Sequence, residues 1–302
     1  MLEECMAGLN LKRGGVYFDG TLGGAGHSYE ILKRAPESTL YATDLDDYGI
    51  ARAKEKLGEF EGRFTILHDN FKNFPAYAER EGIRPDGVLL DLGMSSFQID
   101  DKSRGFSYLA GDEPLDMRMD KRVSFTARNV VNEYSAKDLA RIFREYGEEK
   151  FAEKIAKNIV AARAGKSIET CGELARIVEN SIPAKFRYEG GHPAKRAFQA
   201  VRIEVNGELS GLYEAVIALA RLLKSGGRIA VITFHSLEDR AVKNAFRELE
   251  TDCVCDKSLP VCVCGKKKEI NVVTRHPITA GEEELKLNSR SKSAKLRIAQ
   301  KI

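Results

Sequence analysis

No stretch of this 302-residue chain stays apolar for long enough to cross a bilayer, and no internal repeat recurs along it. The opening MLEECMAGLNLKRGG lacks a basic region followed by an apolar segment and a small-residue cleavage site. No secretory leader is therefore expected, and the expected location is cytoplasmic. Charge of one sign is missing too. Against 48 Lys and Arg stand 45 Asp and Glu, a net +3, so any surface for a polyanion has to come from local clustering. Cysteine is scarce: of 6 residues, Cys5 and Cys171 stand alone and four crowd into CVCDKSLPVCVC, which is no disulfide framework of the secreted kind. What is present is a globular balance, 43% hydrophobic and 31% charged, which excludes a disordered chain. The length exceeds one modal domain, so one large α/β domain or a domain carrying an insertion is expected.

Short apolar runs alternate with helix-period segments over the first ninety or so residues. GVYFDG, STLYATD, RFTILHDN and DGVLLDLG read as strands, and SYEILKRA and YGIARAKEKLGEF as helices between them. Such an alternation calls for a parallel, doubly wound sheet. The rhythm stops between residues 104 and 206, where SFTARNVVNEY, SAKDLARIFREYGEEKFAEKIAKNIVAARAG, ETCGELARIVENSI and a segment through FQAVRIEVNGEL are all helical and no strand is convincing. Ser135 and Asp138 form a capping arrangement there. The α/β pattern resumes with a helix through LSGLYEAVIALARLLKSGG, in which Gly226 and Gly227 suit a left-handed C-cap. A strand GRIAVITF, a helix HSLEDRAVKNAFREL and a closing antiparallel pair from INVVTR and AKLRIAQKI complete it. The expected fold is α/β, a doubly wound, mostly parallel sheet split into residues 1–103 and 207–302 by an all-helical insertion at 104–206.

Between the first strand and its helix lies DGTLGGAGHS, Asp19 to Ser28. Glycines there let the backbone turn sharply and approach a ligand. The spacing is not G-x-G-x-x-G, and no Gly-Lys-Ser/Thr follows to serve a nucleotide triphosphate. Asp44, ending the second strand, is placed to accept both hydroxyls of an adenosine ribose, which argues for a nucleoside cofactor. Asp69 and Asn70 end the third strand, Phe71 beside them can lie against an adenine face, and Asp91 ends the fourth. Any one of these carboxylates could be a turn residue, but three closing neighbouring strands mark the edge where open α/β sheets bind ligands. A nicotinamide dehydrogenase would use the same loop and the same Asp44.

Further strings narrow the choice: DLGMSSFQIDD (Asp91 to Asp101), RGFSY, EPLDMRMD (Glu113 to Asp120), HPAKRAFQAVRIEVNGEL (His192 to Leu209), GGRIAVITFHSLEDRAVK and NSRSKSAKLR (Asn288 to Arg297). With the loop, which resembles the variant glycine motif of class I S-adenosylmethionine methyltransferases, they make the chain similar to the MraW family, also called RsmH. These blocks run in order over nearly the whole chain. The resemblance implies a class I methyltransferase-type sheet, S-adenosylmethionine as cofactor, and methylation of the N4 amino group of a cytidine in 16S ribosomal RNA near the decoding site. An alternative is methylation of another RNA or of protein. The partner implied is 16S ribosomal RNA or the small ribosomal subunit, with no membrane and no obligate protein partner.

Carried over position by position, the resemblance implies that Gly24, Ala25, Gly26 and His27 meet the cofactor's amino acid end and that Asp44 holds its ribose. Phe71, Asp91 and Gln98 match further cofactor-contacting positions. The family normally opens with a short His-x-Pro-Val segment before the stretch matching MLEEC; it is absent here, and a start at an internal methionine is expected. Related amino-group methyltransferases often carry Asp-Pro-Pro-Tyr where this chain has Asp91-Leu92-Gly93-Met94, so either the base is held by a ring from elsewhere, such as Phe97 or Phe106, or it sits differently. Asp91 is the best-placed catalytic carboxylate, orienting the target amino group or the cofactor amine.

RNA of this kind is read by shape, phosphate contacts and stacking on an unstacked base. Lys185, Arg187, His192, Lys195, Arg196 and Arg202, interleaved with Phe186, Tyr188 and Phe198, form the densest basic stretch of the insertion. Of these, Lys195, Arg196 and Arg202 are the expected RNA contacts. A second basic group comprises Lys266 to Lys268 with Arg290, Lys292, Lys295 and Arg297. In FHSLEDR, Ser236 reads as an N-cap with Glu238 and Asp239 in the first turn, leaving His235 for the substrate side. A non-catalytic RNA-binding protein would need the basic insertion but no cofactor pocket. Cys253, Cys255, Cys262 and Cys264 can in principle complete a tetrahedral zinc site. Their C-x-C spacing is tighter than the usual C-x-x-C, and reduced cysteines on a surface loop, with no metal, are expected.

Overall fold

The computed structural model describes residues 1–187, 191–256 and 261–302, so Tyr188 lies outside the described residues. The chain forms two compact units, Met1–Gly93 together with Leu209–Ile302, and Met94–Glu208. The first unit opens with α1 (Leu2–Leu9), β1 (Val16–Asp19), α2 (Gly26–Arg34), β2 (Thr39–Asp44), α3 (Asp47–Lys56), β3 (Phe64–His68), α4 (Phe74–Arg80) and β4 (Gly87–Asp91). The second holds α5 (Ser96–Asp100), α6 (Ala127–Glu133), α7 (Ala136–Glu145), α8 (Ala152–Gly165), α9 (Cys171–Ser181) and α10 (Lys195–Asn206). The chain returns to the first unit with α11 (Leu212–Leu222), β5 (Arg228–Thr233), α12 (Ser236–Glu250), β6 (Ile270–Val272), β7 (Ile278–Thr279), α13 (Glu282–Leu287) and β8 (Lys295–Lys301).

Five parallel strands in the order β3-β2-β1-β4-β5 make the body of the sheet, and β8 joins β5 antiparallel, with β6 and the short β7 pairing on β8. Continuous apolar runs explain the central strands: β4 and β5 are buried along almost their whole length, as strands covered on both faces must be. One face is covered by a cluster including Phe74, Val216, Leu219, Val242 and Phe246, the other by Cys5, Leu9, Ile31, Leu32 and Ala53. Each fully buried Leu, Ile or Phe there contributes roughly 1.5–3 kcal/mol. The strand order reverses between β1 and β4, and such a switch point opens a crevice at the carboxyl edge.

The second unit is helical, with Pro114 and Thr170 forming an isolated bridge. It begins at Met94, so α5 belongs to it rather than to the first unit as the expected division at 104 had it. Ser135 caps α7 by accepting the Asp138 amide, as its spacing implies. The long helical stretch read from Ser135 to Gly165 is two helices. A side chain at Gly147 would sit 2.7 Å from the carbonyl oxygens of Arg196 and Phe143, so the chain turns where only glycine fits, and Glu148 follows with φ 48°. Gly226 has the left-handed φ of +78° expected of it, but not as a helix cap. The helix α11 ends at Leu222, and Gly226 lies in the following turn, donating its amide to Lys301 O.

Candidate functional site

The first unit's site is built at the carboxyl ends of β1, β2 and β4. Its loop turns tightly: Leu22 donates its amide to Thr43 O, Ala25 closes back onto Leu22 O, and Gly23 and Ala25 both have positive φ, 49° and 56°. Ala25 is the N-cap of α2 and no side chain caps that helix, so its first-turn amides at Gly26, His27 and Ser28 have no partner within the helix. That leaves a positive helix end at the loop, suited to a carboxylate. A left-handed alanine costs free energy that a glycine would not. The whole residue is buried and its amide is spent on Leu22 O, so Ala25 shapes the turn from which the α2 amides begin.

The loop is tied down by side chains that sequence reasoning passed over. Ser28 Oγ donates to Asp19 Oδ2 at 2.7 Å, Thr21 N to Asp19 Oδ1 at 3.1 Å, and Thr43 Oγ1 to Gly20 O at 2.9 Å. Thr21 Oγ1 accepts the amide of Asp91 at 2.6 Å. Nothing marks Ser28 or Thr21 in the sequence except their place in the glycine loop. Gly20 leaves no room for a side chain: a Cβ there would run into Leu90 Cδ2 and meet Phe71 Cβ at 2.8 Å. Phe71 thus lies directly against the first strand's end.

Asp44 stands at the tip of β2 and accepts the Gly23 amide at 2.6 Å on Oδ2 and the Asp46 amide at 2.8 Å on Oδ1. The Leu45 amide faces it as well, and a carboxylate with about four lone-pair sites keeps acceptor capacity for a hydroxyl donor. Burial raises its pKa against those hydrogen bonds. The strands carrying Asp44 and Asp91 are not adjacent: β1 lies between them. The carboxylate that ends β1 is Asp19, buried and pushed above its usual range by that burial. Asp69, expected on the same rim, is an exposed turn residue accepting from Asn70 N and Asn73 Nδ2. Next to it, between the ends of β2 and β3 and helix α4, opens a cleft of about 350 Å³ lined by Thr43, His68, Asp69, Asn73, Phe74 and Tyr77.

Asp91 is the most unusual group of the rim. Its Oδ2 faces His27 Nδ1 at 3.7 Å, and its Oδ1 is buried without a hydrogen-bond partner among the described residues. An orphaned acceptor of this kind calls for an external donor. Burial pushes its carboxyl up to about 7, with the N-terminal ammonium opposing and Glu238 and Glu284 reinforcing the rise. Burial also lowers the pKa of His27.

In the second unit, Gln98 is 5% exposed and closes a capping box at α5, its Oε1 accepting the Ser95 amide at 3.0 Å while its own amide donates to Ser95 Oγ. Lys195 and Arg196 are exposed at the start of α10. Arg202 is different: its guanidinium forms a two-pronged bond to Glu208, 2.8 Å on each prong, with side chains 13% and 9% exposed. Of the interleaved aromatics, Phe198 is a core residue, whereas Phe186 is exposed beneath Lys185 Nζ at 4.7 Å. His192 stacks on Tyr108 at 4.4 Å.

His235, expected on the substrate side, is the N-cap of α12 in place of Ser236. Its ring accepts the Glu238 amide, and the buried Glu238 carboxylate accepts the amides of Phe234 and His235. In the second basic group, Arg297 and Lys295 are bound to Asp239, while Lys267, Lys268, Arg290 and Lys292 are exposed. Among the described residues no helix is long and apolar enough to cross a membrane.

The profile of the MraW methylase family matches residues 1–302. The ribosomal RNA small subunit methyltransferase H of Clostridioides difficile (strain 630) is 51% identical over 304 residues, covering 100% of this chain and 97% of that protein. A relative from Agathobacter rectalis, ribosomal RNA small subunit methyltransferase H 2, is 52% identical over 301 residues, covering 99% of this chain and 96% of its own. Among solved structures, an rRNA methylase from Streptococcus thermophilus aligns over 100% of this chain and 92% of its own, at 10% identity and a TM-score of 0.39.

Proposed function

This chain belongs to the MraW methylase family, and from that membership we propose that it transfers a methyl group from S-adenosylmethionine to the N4 amino group of a cytidine in 16S ribosomal RNA near the decoding site. The relatives are named as methyltransferases of small-subunit ribosomal RNA, which supports the substrate class. The observation that carries the reading is the orphaned, buried Oδ1 of Asp91 on the same sheet edge as an uncapped helix end and a strand-end carboxylate.

The residues present fit the cofactor. The remaining acceptor capacity of Asp44 suits the ribose hydroxyls, Phe71 suits an adenine face, and the loop backbone from Gly24 to His27 suits the carboxylate of the amino acid end. Gln98 enters by family resemblance alone. When bound, S-adenosylmethionine supplies a methyl group that is already electrophilic, so the protein's task is mainly alignment. A cytosine amino nitrogen is a poor nucleophile because its lone pair is delocalised into the ring. Asp91 Oδ1 accepting one of its N–H bonds localises that pair, and a carboxyl with a pKa of about 7 can take up the proton that leaves. Lys195 and Arg196 hold RNA phosphates, with Arg202 and His235 as further contacts that also carry bonds within the fold, to Glu208 and to the Glu238 amide.

The test is mass mapping of nucleosides after incubation of the enzyme with labelled S-adenosylmethionine and small-subunit RNA or subunits from cells lacking the activity. Label in N4-methylcytidine at one site is expected. Label at another atom, or in protein alone, rejects the assignment.

A further inference from the structure

The connection from Thr251 to Glu269, between α12 and β6, contains no helix or strand among its described residues. The valines among its described residues stand in solvent, with Val254 64%, Val261 70% and Val263 77% exposed, so their burial does not hold it. Yet four sulfurs converge there. Cys253 Sγ lies 3.5 Å from Cys262 Sγ and 3.9 Å from Cys264 Sγ, and Cys262 Sγ lies 3.8 Å from Cys255 Sγ and 3.5 Å from Cys264 Sγ. All four lie within 4.8 Å of one another.

These separations match one ion's requirement. Zinc–sulfur bonds of about 2.3 Å at tetrahedral angles put the sulfurs about 3.8 Å apart. A disulfide would need about 2.05 Å, and all six cysteines are unbridged. Backbone amides also point at the sulfurs: Val254 N–H at Cys264 (3.4 Å), Cys255 N–H at Cys253 (3.4 Å) and Val263 N–H at Cys255 (3.3 Å). Such donors offset the charge of metal-bound thiolates. The short spacing has a geometric reading too. Residues i and i+2 of an extended segment share a face, so two C-x-C arms set against each other deliver two thiolates each. Lys266, Lys267 and Lys268 follow directly, and their charge opposes the net negative charge of four thiolates around a divalent ion.

We propose that Cys253, Cys255, Cys262 and Cys264 bind one zinc ion in a closed tetrathiolate site that fastens the connection between α12 and β6, with the four thiol protons released to solvent on binding. This revises the expectation of metal-free surface cysteines. It does not depend on the methyltransferase reading, because its readouts are metal content and spectrum rather than activity.

The experiment uses the full chain, purified with reductant and without chelator. Elemental analysis is expected to find one zinc per chain, and cobalt(II) exchanged into the protein to give the intense visible spectrum of tetrahedral sulfur ligation. Cys262→Ser, and the variant with all four cysteines replaced by serine, are expected to lose the stoichiometric ion. Because the cobalt spectrum is read on the unaltered chain, a variant that fails to fold does not blunt the test. The proposal is overturned by a chain that takes up no zinc when dialysed against it, by four thiols that react freely with a thiol reagent in zinc-containing buffer, by two disulfides in the freshly reduced and purified protein, or by iron with labile sulfide in place of zinc.

Discussion

At the scale of single residues, Asp91 joins two properties that evolution of a merely structural carboxylate would avoid: a buried oxygen without a donor and a proton held up to about neutrality. If Oδ1 is the acceptor for the target amine, turnover rises with pH through about 7 as the carboxylate forms. In Asp91→Asn turnover should fall by about 10²–10⁴ and lose that pH dependence; a pH–rate profile of both forms checks it. Stability follows the opposite sense. Asp91 binds its proton more tightly folded than unfolded, so its contribution is fully present below the unfolded carboxyl range near 4 and is lost as pH rises through about 7. Asp91→Asn should therefore melt higher than the parent at about pH 8, by roughly 1–2 kcal/mol once solvent screening of a side chain 32% exposed is allowed for, and with little difference at about pH 4. Asp44→Ala should remove cofactor binding measured by calorimetry while leaving the fold, since its partners Gly23 N and Asp46 N can turn to water. Both positions were legible in the sequence because strand ends follow from local apolar pattern. The orphaned oxygen and the shifted pKa were not, because they depend on what packs around the carboxylate.

At the scale of elements, two residues singled out from charge and motif, His235 and Arg202, have partners within the fold. His235 holds the start of α12, so His235→Ala should lower stability by about 0.5–2 kcal/mol and His235→Asn should restore most of it. Turnover that stays lost in the refolded, stable Asn variant would return the residue to a substrate role. Along α10, Lys195 and Arg196 are exposed while Arg202 is paired with Glu208 in a setting little open to water. Lys195→Ala and Arg196→Ala should each weaken RNA binding almost uniformly and reduce the salt slope by about 1, with no change in melting temperature for Lys195→Ala and a small fall for Arg196→Ala, whose guanidinium donates to Glu148 O at 3.1 Å. Arg202→Ala should instead destabilise, by about 1–3 kcal/mol, because it leaves Glu208 without its counter-charge. Filter binding and thermal melts on the same three variants separate these outcomes. The sequence shows a basic run with no means of telling which members find carboxylates, since those partners are chosen by the helix's path.

At the scale of the whole molecule, a net charge of only +3 leaves no long-range field to gather RNA, so binding must come from local groups such as those on α10. RNA affinity should accordingly fall steeply with salt while S-adenosylmethionine affinity barely changes; equal slopes for the two ligands would remove the electrostatic argument. Sequence by itself determined the alternation of strands and helices, the glycine turn after β1, the carboxylates at the strand tips and the helical interruption. All of these are written in neighbouring residues, through period, turn chemistry and apolar runs. Tertiary structure alone decided that β4 lies beside β1, so that Asp44 and Asp91 flank the glycine turn, and that the helix around Gly147 breaks against the backbone of α10. It alone brought four sulfurs on two short arms to one point. The reason is common to all three: strand order, close backbone approach and side-chain convergence are set by contacts between residues far apart in the chain, whose free energy no local window contains.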